Sequence, residues 1–117
     1  MTTATFRQMT VGEKDILSRL LDTDFPARDI VCEQLAHAVV RTIDEEGSLE
    51  FQTTSPQTVP PGDRVPAEAR YRDRDEVCVN LLLHVVDGKV RELEVYKDDG
   101  SPILTAPNAN LLERLPG

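Results

Sequence analysis

Tryptophan is missing from this chain, and the other aromatic residues are few: Phe6, Phe25, Phe51, Tyr71 and Tyr96 make up 4% of 117 residues. A core without large rings has to be aliphatic, which favours a helix-and-sheet body over an aromatic-lined ligand cavity. Cysteine is almost as scarce. Cys32 and Cys78 lie too far apart for a CxxC redox pair or a zinc knuckle, and the two histidines share no ligand spacing with them. Neither a metal nor a cofactor is expected. Positive charge is short as well: 13 Lys and Arg against 21 Asp and Glu leave a net charge of −8. Such a surface repels phosphate backbones, and the basic residues are scattered rather than striped, which argues against nucleic-acid binding. No apolar run approaches the ~18 residues of a membrane span, and MTTATFRQMT lacks the apolar segment of a signal peptide. A cytoplasmic chain with reduced thiols and no membrane partner is expected.

What is present suits one domain spanning residues 1–117, with 1–8 and 105–117 expected as loosely ordered tails. Hydrophobic residues at 39% and charged residues at 29% are ordinary for a globular protein. A chain of this length buries about two thirds of its unfolded surface.

Helical signals come first. Thr10 with Glu13 forms a capping-box pattern, and Ile16, Leu17, Leu20 and Leu21 then draw one apolar stripe. Pro26 disfavours helical geometry at Phe25 and ends the segment. A second helix is expected from Asp24 or Phe25, with Pro26 in its first turn and Ile30, Val31 and Leu35 on its apolar face. His37 near its end suits the helix dipole.

From about residue 38 the period becomes two. Ala38–Ile43 and Ser48–Thr53 read as strands around an acidic turn, and TSPQTVPPGD reads as a loop. Arg64–Asp73 alternates again, with Pro66 pointing to an edge or strand start. Val77–Val86 and Lys89–Lys97 then form a hairpin, and LLERL near the end suggests a short helical turn. The fold class is α+β: two N-terminal helices packed on one face of a mainly antiparallel sheet of about five strands.

The hairpin's register carries the most inference. A two-residue loop, Asp87-Gly88, sets Leu81 against Glu94 and Leu83 against Glu92, burying carboxylates beside an apolar row. A three-residue loop, Val86-Asp87-Gly88, reverses the parity and pairs Leu81 with Leu93 and Val79 with Val95. Desolvating unpaired carboxylates costs several kcal/mol, roughly, so the odd loop is expected, with the helices on the Val/Leu face. The opposite face then carries Asn80, Leu82, His84, Glu92, Glu94 and Tyr96, the one constellation with chemical variety, and these are the candidate binding residues. They equally suit the solvated side of an antiparallel sheet.

No catalytic residues emerge. Glu92 and Glu94 lie roughly 7 Å apart by strand rise, yet an open acidic face offers no reason for either to hold a proton near neutrality. His84 can approach Glu92 across the hairpin, but no nucleophile accompanies it. Asp98-Asp99-Gly100 lacks the alternating donors of a calcium loop and reads as the turn that ends a strand.

The stretches LLHVVDGKV and ELEVYKDDGSPI, preceded by LLDTDFPAR, resemble a family of short bacterial proteins carrying a domain of unknown function. Its pattern is similar to "LLHV.DGKL.ELEIY..DGSPI", with Ala27 standing where the family pattern has glycine. The resemblance would cover most of residues 6–104, and it implies an α+β fold without transferring any catalytic residue. Small size, acidity and the missing catalytic set point to a non-enzymatic acidic protein-binding module, an immunity or inhibitor type whose sheet face docks a basic protein partner. The alternative is a small-ligand-binding or enzymatic domain using the polar face of the hairpin, and a homodimer through that face or an edge strand is a third option.

Overall fold

The structure, a computed structural model, describes residues 5–114, for Arg114 the backbone alone. Helix α1 spans Val11–Leu20 and α2 spans Arg28–Ala36. Both bonds of the Thr10–Glu13 capping box form, and Arg7 grips the same Glu13 carboxylate at 2.8 and 2.9 Å. Helix α2 starts later than Asp24 or Phe25. Pro26 and Ala27 form a turn instead, and Arg28 Nε donates to Leu21 O at 2.7 Å, tying the start of α2 to the end of α1.

The strands are β1 (Ala38–Thr42), β2 (Leu49–Thr53), β3 (Glu68–Arg72), β4 (Cys78–Val86), β5 (Lys89–Lys97) and a two-residue β6 (Glu113–Arg114). They form one antiparallel sheet in the order β1-β2-β5-β4-β3-β6. The two longest strands therefore lie in the middle, which is where the most apolar segments are best covered. Burial alternates along β1 to β5, so one face is dry. Val79, Leu81, Leu93 and Val95 from that face join Leu17, Leu20, Val31 and Leu35 of the helices in one core. The α+β architecture, helices first and sheet after, is as expected.

The described parts of the two expected tails make contacts with the rest of the chain. Arg7 pairs with Val40 at the β1 edge, Leu112 is buried, and β6 pairs with β3. The helical turn expected in LLERL lies slightly earlier, as a 3-10 turn at Ala109–Leu111. Residues 1–4 and 115–117 lie outside the described set.

The hairpin corrects the expected register while keeping the expected faces. Its loop is the two residues Asp87-Gly88, both left-handed at φ 52° and 77°, the geometry of a type I′ turn. Val86 pairs with Lys89 and Val85 with Val90, and then His84 pairs with Glu92. Arg91 is thus an extra residue, a β-bulge that shifts the parity the loop did not. Leu81 faces Val95 and Leu83 faces Leu93, two residues from the pairing expected. Both glutamates still point away from the helices.

The bulge has a physical support. In a two-residue hairpin Val86 and Lys89 are the hydrogen-bonded pair, so the next N–H, that of Val90, points away from β4. The described β2–β5 pairing runs through Leu49–Leu93 and Glu50–Glu92 and stops short of it. The fully buried Gln34 of α2 takes that place: Oε1 accepts from Val90 N at 2.8 Å, and Nε2 donates to Gly88 O at 2.8 Å and Gln57 O at 3.0 Å.

Candidate functional site

The outer sheet face is built from the alternate residues that the core does not take. All six candidate residues lie on it, and strand pairing orders them in rows. Arg41, Glu50, Glu92 and His84 form one row across β1, β2, β5 and β4. Glu94, Leu82 and Glu68 form the next, and Tyr96, Asn80, Arg70 and Glu113 the third. The third dimension is what sequence reading lacked. Arg41 and Glu50, on strands distant in the chain, join the same face, although the alternation of Leu49, Glu50 and Phe51 already marked Glu50 as outward.

The bonding within the face is specific. His84 Nε2 meets Glu94 Oε1 at 2.8 Å rather than Glu92, its partner in register. Arg41 Nε holds Glu50 at 2.6 Å, with its guanidinium 4.8 Å from the Phe6 ring centre. Asn80 Nδ2 donates to Asp98 Oδ1 at 2.6 Å. Glu92 stands directly opposite Glu50, a like-charge pair, and makes no ion pair with any described residue. Tyr96 is 42% exposed. The side chains are displayed on an open plane instead of converging around a reactive atom. At the turn end His84 borders a hollow of about 680 Å³, formed with Thr58–Asp63 and the hairpin loop, and Glu50 borders another with Phe6, Lys89 and Arg91. Among the described residues no three His, Cys, Asp or Glu side chains come together as metal ligands.

A second polar cluster escaped the sequence reading. Lys97 shares the inward face with Leu93 and Val95, and its Nζ lies 2.9 Å from Asp73, 2.7 Å from Asp75 and 3.1 Å from Pro102 O. Asp73 also accepts from the backbone N–H groups of Arg74, Leu104 and Thr105. Burial pushes the Asp73 carboxyl up, but the Leu104 N–H, Lys97 and the other two amides outweigh it and hold the group well below the usual carboxylate range. Burial likewise lowers Lys97, and Asp75 and Asp73 overcome it, so its pKa is raised. Burial and then Asp73 push Tyr71 up to about 12, and its hydroxyl donates to Thr105 O at 2.6 Å. The cluster fastens residues 102–105 across the end of the core. Its signal was parity: Asp73 and Lys97 both fall on inward positions, where an unpaired charge is not tolerated. In KDDG, by contrast, Asp99 accepts from Ser101 N and Oγ and Gly100 has φ 72°, a local turn.

Fold and face together define a small α+β domain with helices on one side of the sheet and an open polar plane on the other. The chain belongs to the family described as Domain of unknown function (DUF6984), whose model matches residues 6–107. No curated protein and no solved structure gives a significant match.

Proposed function

We propose that this protein is a non-enzymatic, acidic protein-binding module of the bacterial cytoplasm, an immunity or inhibitor type that docks a basic partner on the outer face of β4 and β5. The observation carrying the proposal is Glu92, a carboxylate set against Glu50 with no cation partner among the described residues, on a plane that also exposes Tyr96. Arg41 compensates Glu50 at 2.6 Å and leaves Glu92 uncompensated, and a basic side chain docking at Glu92 supplies the charge it lacks. Tyr96 and Leu82 supply contact area of the amphipathic kind that interfaces use.

The test is affinity capture with the wild-type protein and the Glu92→Lys/Glu94→Lys double variant, at low and high salt. The expected result is a basic protein captured by wild type, released by salt, and lost with the double variant while circular dichroism stays native. Retention of that protein by the double variant, or capture that ignores salt, overturns the proposal.

A further inference from the structure

A groove runs along the junction of α1, α2 and the start of β1, on the helical side and away from the outer sheet face. Its volume is about 470 Å³, within the span of about 300–1,000 Å³ usual for small-molecule sites. Met9, Leu17, Leu21 and Leu35 provide apolar wall, and Lys14 and Arg28 provide charge. No aspartate or glutamate lines it, although acids outnumber bases 21 to 13 in the chain. Arg28 also borders two other hollows, one with Asp24 and Asp29 and one with Asp15 and Asp22.

Neither cation forms a carboxylate pair with a described residue, a state shared with Arg64, Arg70, Arg74, Lys89 and Arg91. Arg7, Arg19, Arg41, Arg72 and Lys97 each meet a carboxylate. Arg28 is fixed by its Nε bond to Leu21 O, and its terminal nitrogens make no hydrogen bond to a described residue. Lys14 makes none either. From Lys14 to Leu21 the wall runs about 10 Å along α1, at 1.5 Å per residue. A guanidinium held through Nε, on the lining of an apolar trough, matches a carboxylate carried on a hydrocarbon chain.

We infer that this groove binds an apolar carboxylic acid of medium chain length, its chain along the leucine wall and its carboxylate on Arg28, with Lys14 adding to the positive field. Sodium decanoate is the probe. Cys32 lines the groove, whereas Cys78 lies on β4 at the far side of the sheet, so the two thiols report separately. Iodoacetamide alkylation of the full chain, followed by peptide mass spectrometry, is expected to slow severalfold at Cys32 as decanoate saturates, with the Cys78 rate unchanged. Decylamine is expected to give no protection. Arg28→Met should weaken protection by about tenfold or more, as expected for a lost charge-assisted pair. Lys14→Gln, at an exposed helix position about 10 Å from the end of the wall, should weaken it by about twofold at most, at unchanged thermal stability. Equal protection by decylamine, no saturable protection, or wild-type protection in a folded Arg28→Met overturns the inference. None of these outcomes bears on the partner proposed for the opposite face.

Discussion

Gln34→Met removes a buried carboxamide while keeping length, helix propensity and most of the volume. Three hydrogen bonds go with it, but their loss is unequal. Gly88 O still accepts from Val59 N at 2.9 Å, and Gln57 O still accepts from Lys89 Nζ at 2.9 Å. The Val90 N–H has no such second partner, and Val90 is 3% exposed. An orphaned buried donor costs about 1–3 kcal/mol, and each bond whose acceptor stays satisfied contributes about 0.5–1.5 kcal/mol net. Burial of the thioether offsets part of this, leaving an expected loss of about 2–4 kcal/mol. For a domain of this size that is a Tm drop of roughly 10 °C. Urea unfolding measures it, with an unchanged m-value showing that the denatured state is the same.

Gln34→Glu separates the roles of the two amide atoms. A carboxylate keeps an acceptor for Val90 N–H but faces two carbonyls, so its folded pKa is raised above the unfolded value of about 4.3. A raised carboxyl contributes stability below the unfolded pKa that is lost as pH rises through the folded one. The deficit against wild type should therefore narrow as pH falls toward 4. A Gln34→Met cost under about 0.5 kcal/mol would refute the account of how the bulge is held.

Two further outcomes follow from the same geometry. The Asp73 pKa is depressed, so its contribution is present above the unfolded value of about 3.9 and is lost as pH falls through the folded value. Asp73→Asn should lower stability at pH 7 and flatten the acid limb of the Tm-against-pH curve; an acid limb as steep as wild type would remove Asp73 from it. A Cβ on Gly88 would meet Val59 O at 2.9 Å with φ at +77°, whereas at Gly100, with φ +72°, nothing lies within 4 Å. Gly100→Ala should cost the left-handed penalty of about 1–2 kcal/mol, and Gly88→Ala clearly more, because loop and hairpin must part as well. Equal losses would show that the Thr58–Val59 contact yields freely.

Much of the fold was written in local pattern. The Thr10–Glu13 box and the stripe through Leu20 and Leu21 specify α1 without help from other elements, because capping and i, i+4 spacing are short-range effects. Alternation along β2, β4 and β5 decided which residues turn inward, so the six outer-face candidates were legible one strand at a time. The hairpin shows where this stops. Avoiding buried carboxylates dictated the parity of Glu92 and Glu94 but not the means, and a bulge at Arg91 and an extra loop residue satisfy that demand equally. The I′ turn with its bulge is supported because Gln34, 56 residues away from Val90 in sequence, takes the Val90 amide that faces away from β4 and that the described β2–β5 pairing does not reach.

The Lys97–Asp73–Asp75 cluster and the groove between the helices share that dependence. Each is made of side chains that pattern can place on a face but not beside one another. Sequence alone determined which surface of each element is dry, since that follows from transferring apolar groups out of water. Tertiary structure decided which polar groups meet inside or against that core, because a buried charge or amide is settled by the one partner within hydrogen-bond reach, and proximity across the sheet is not encoded in any local window.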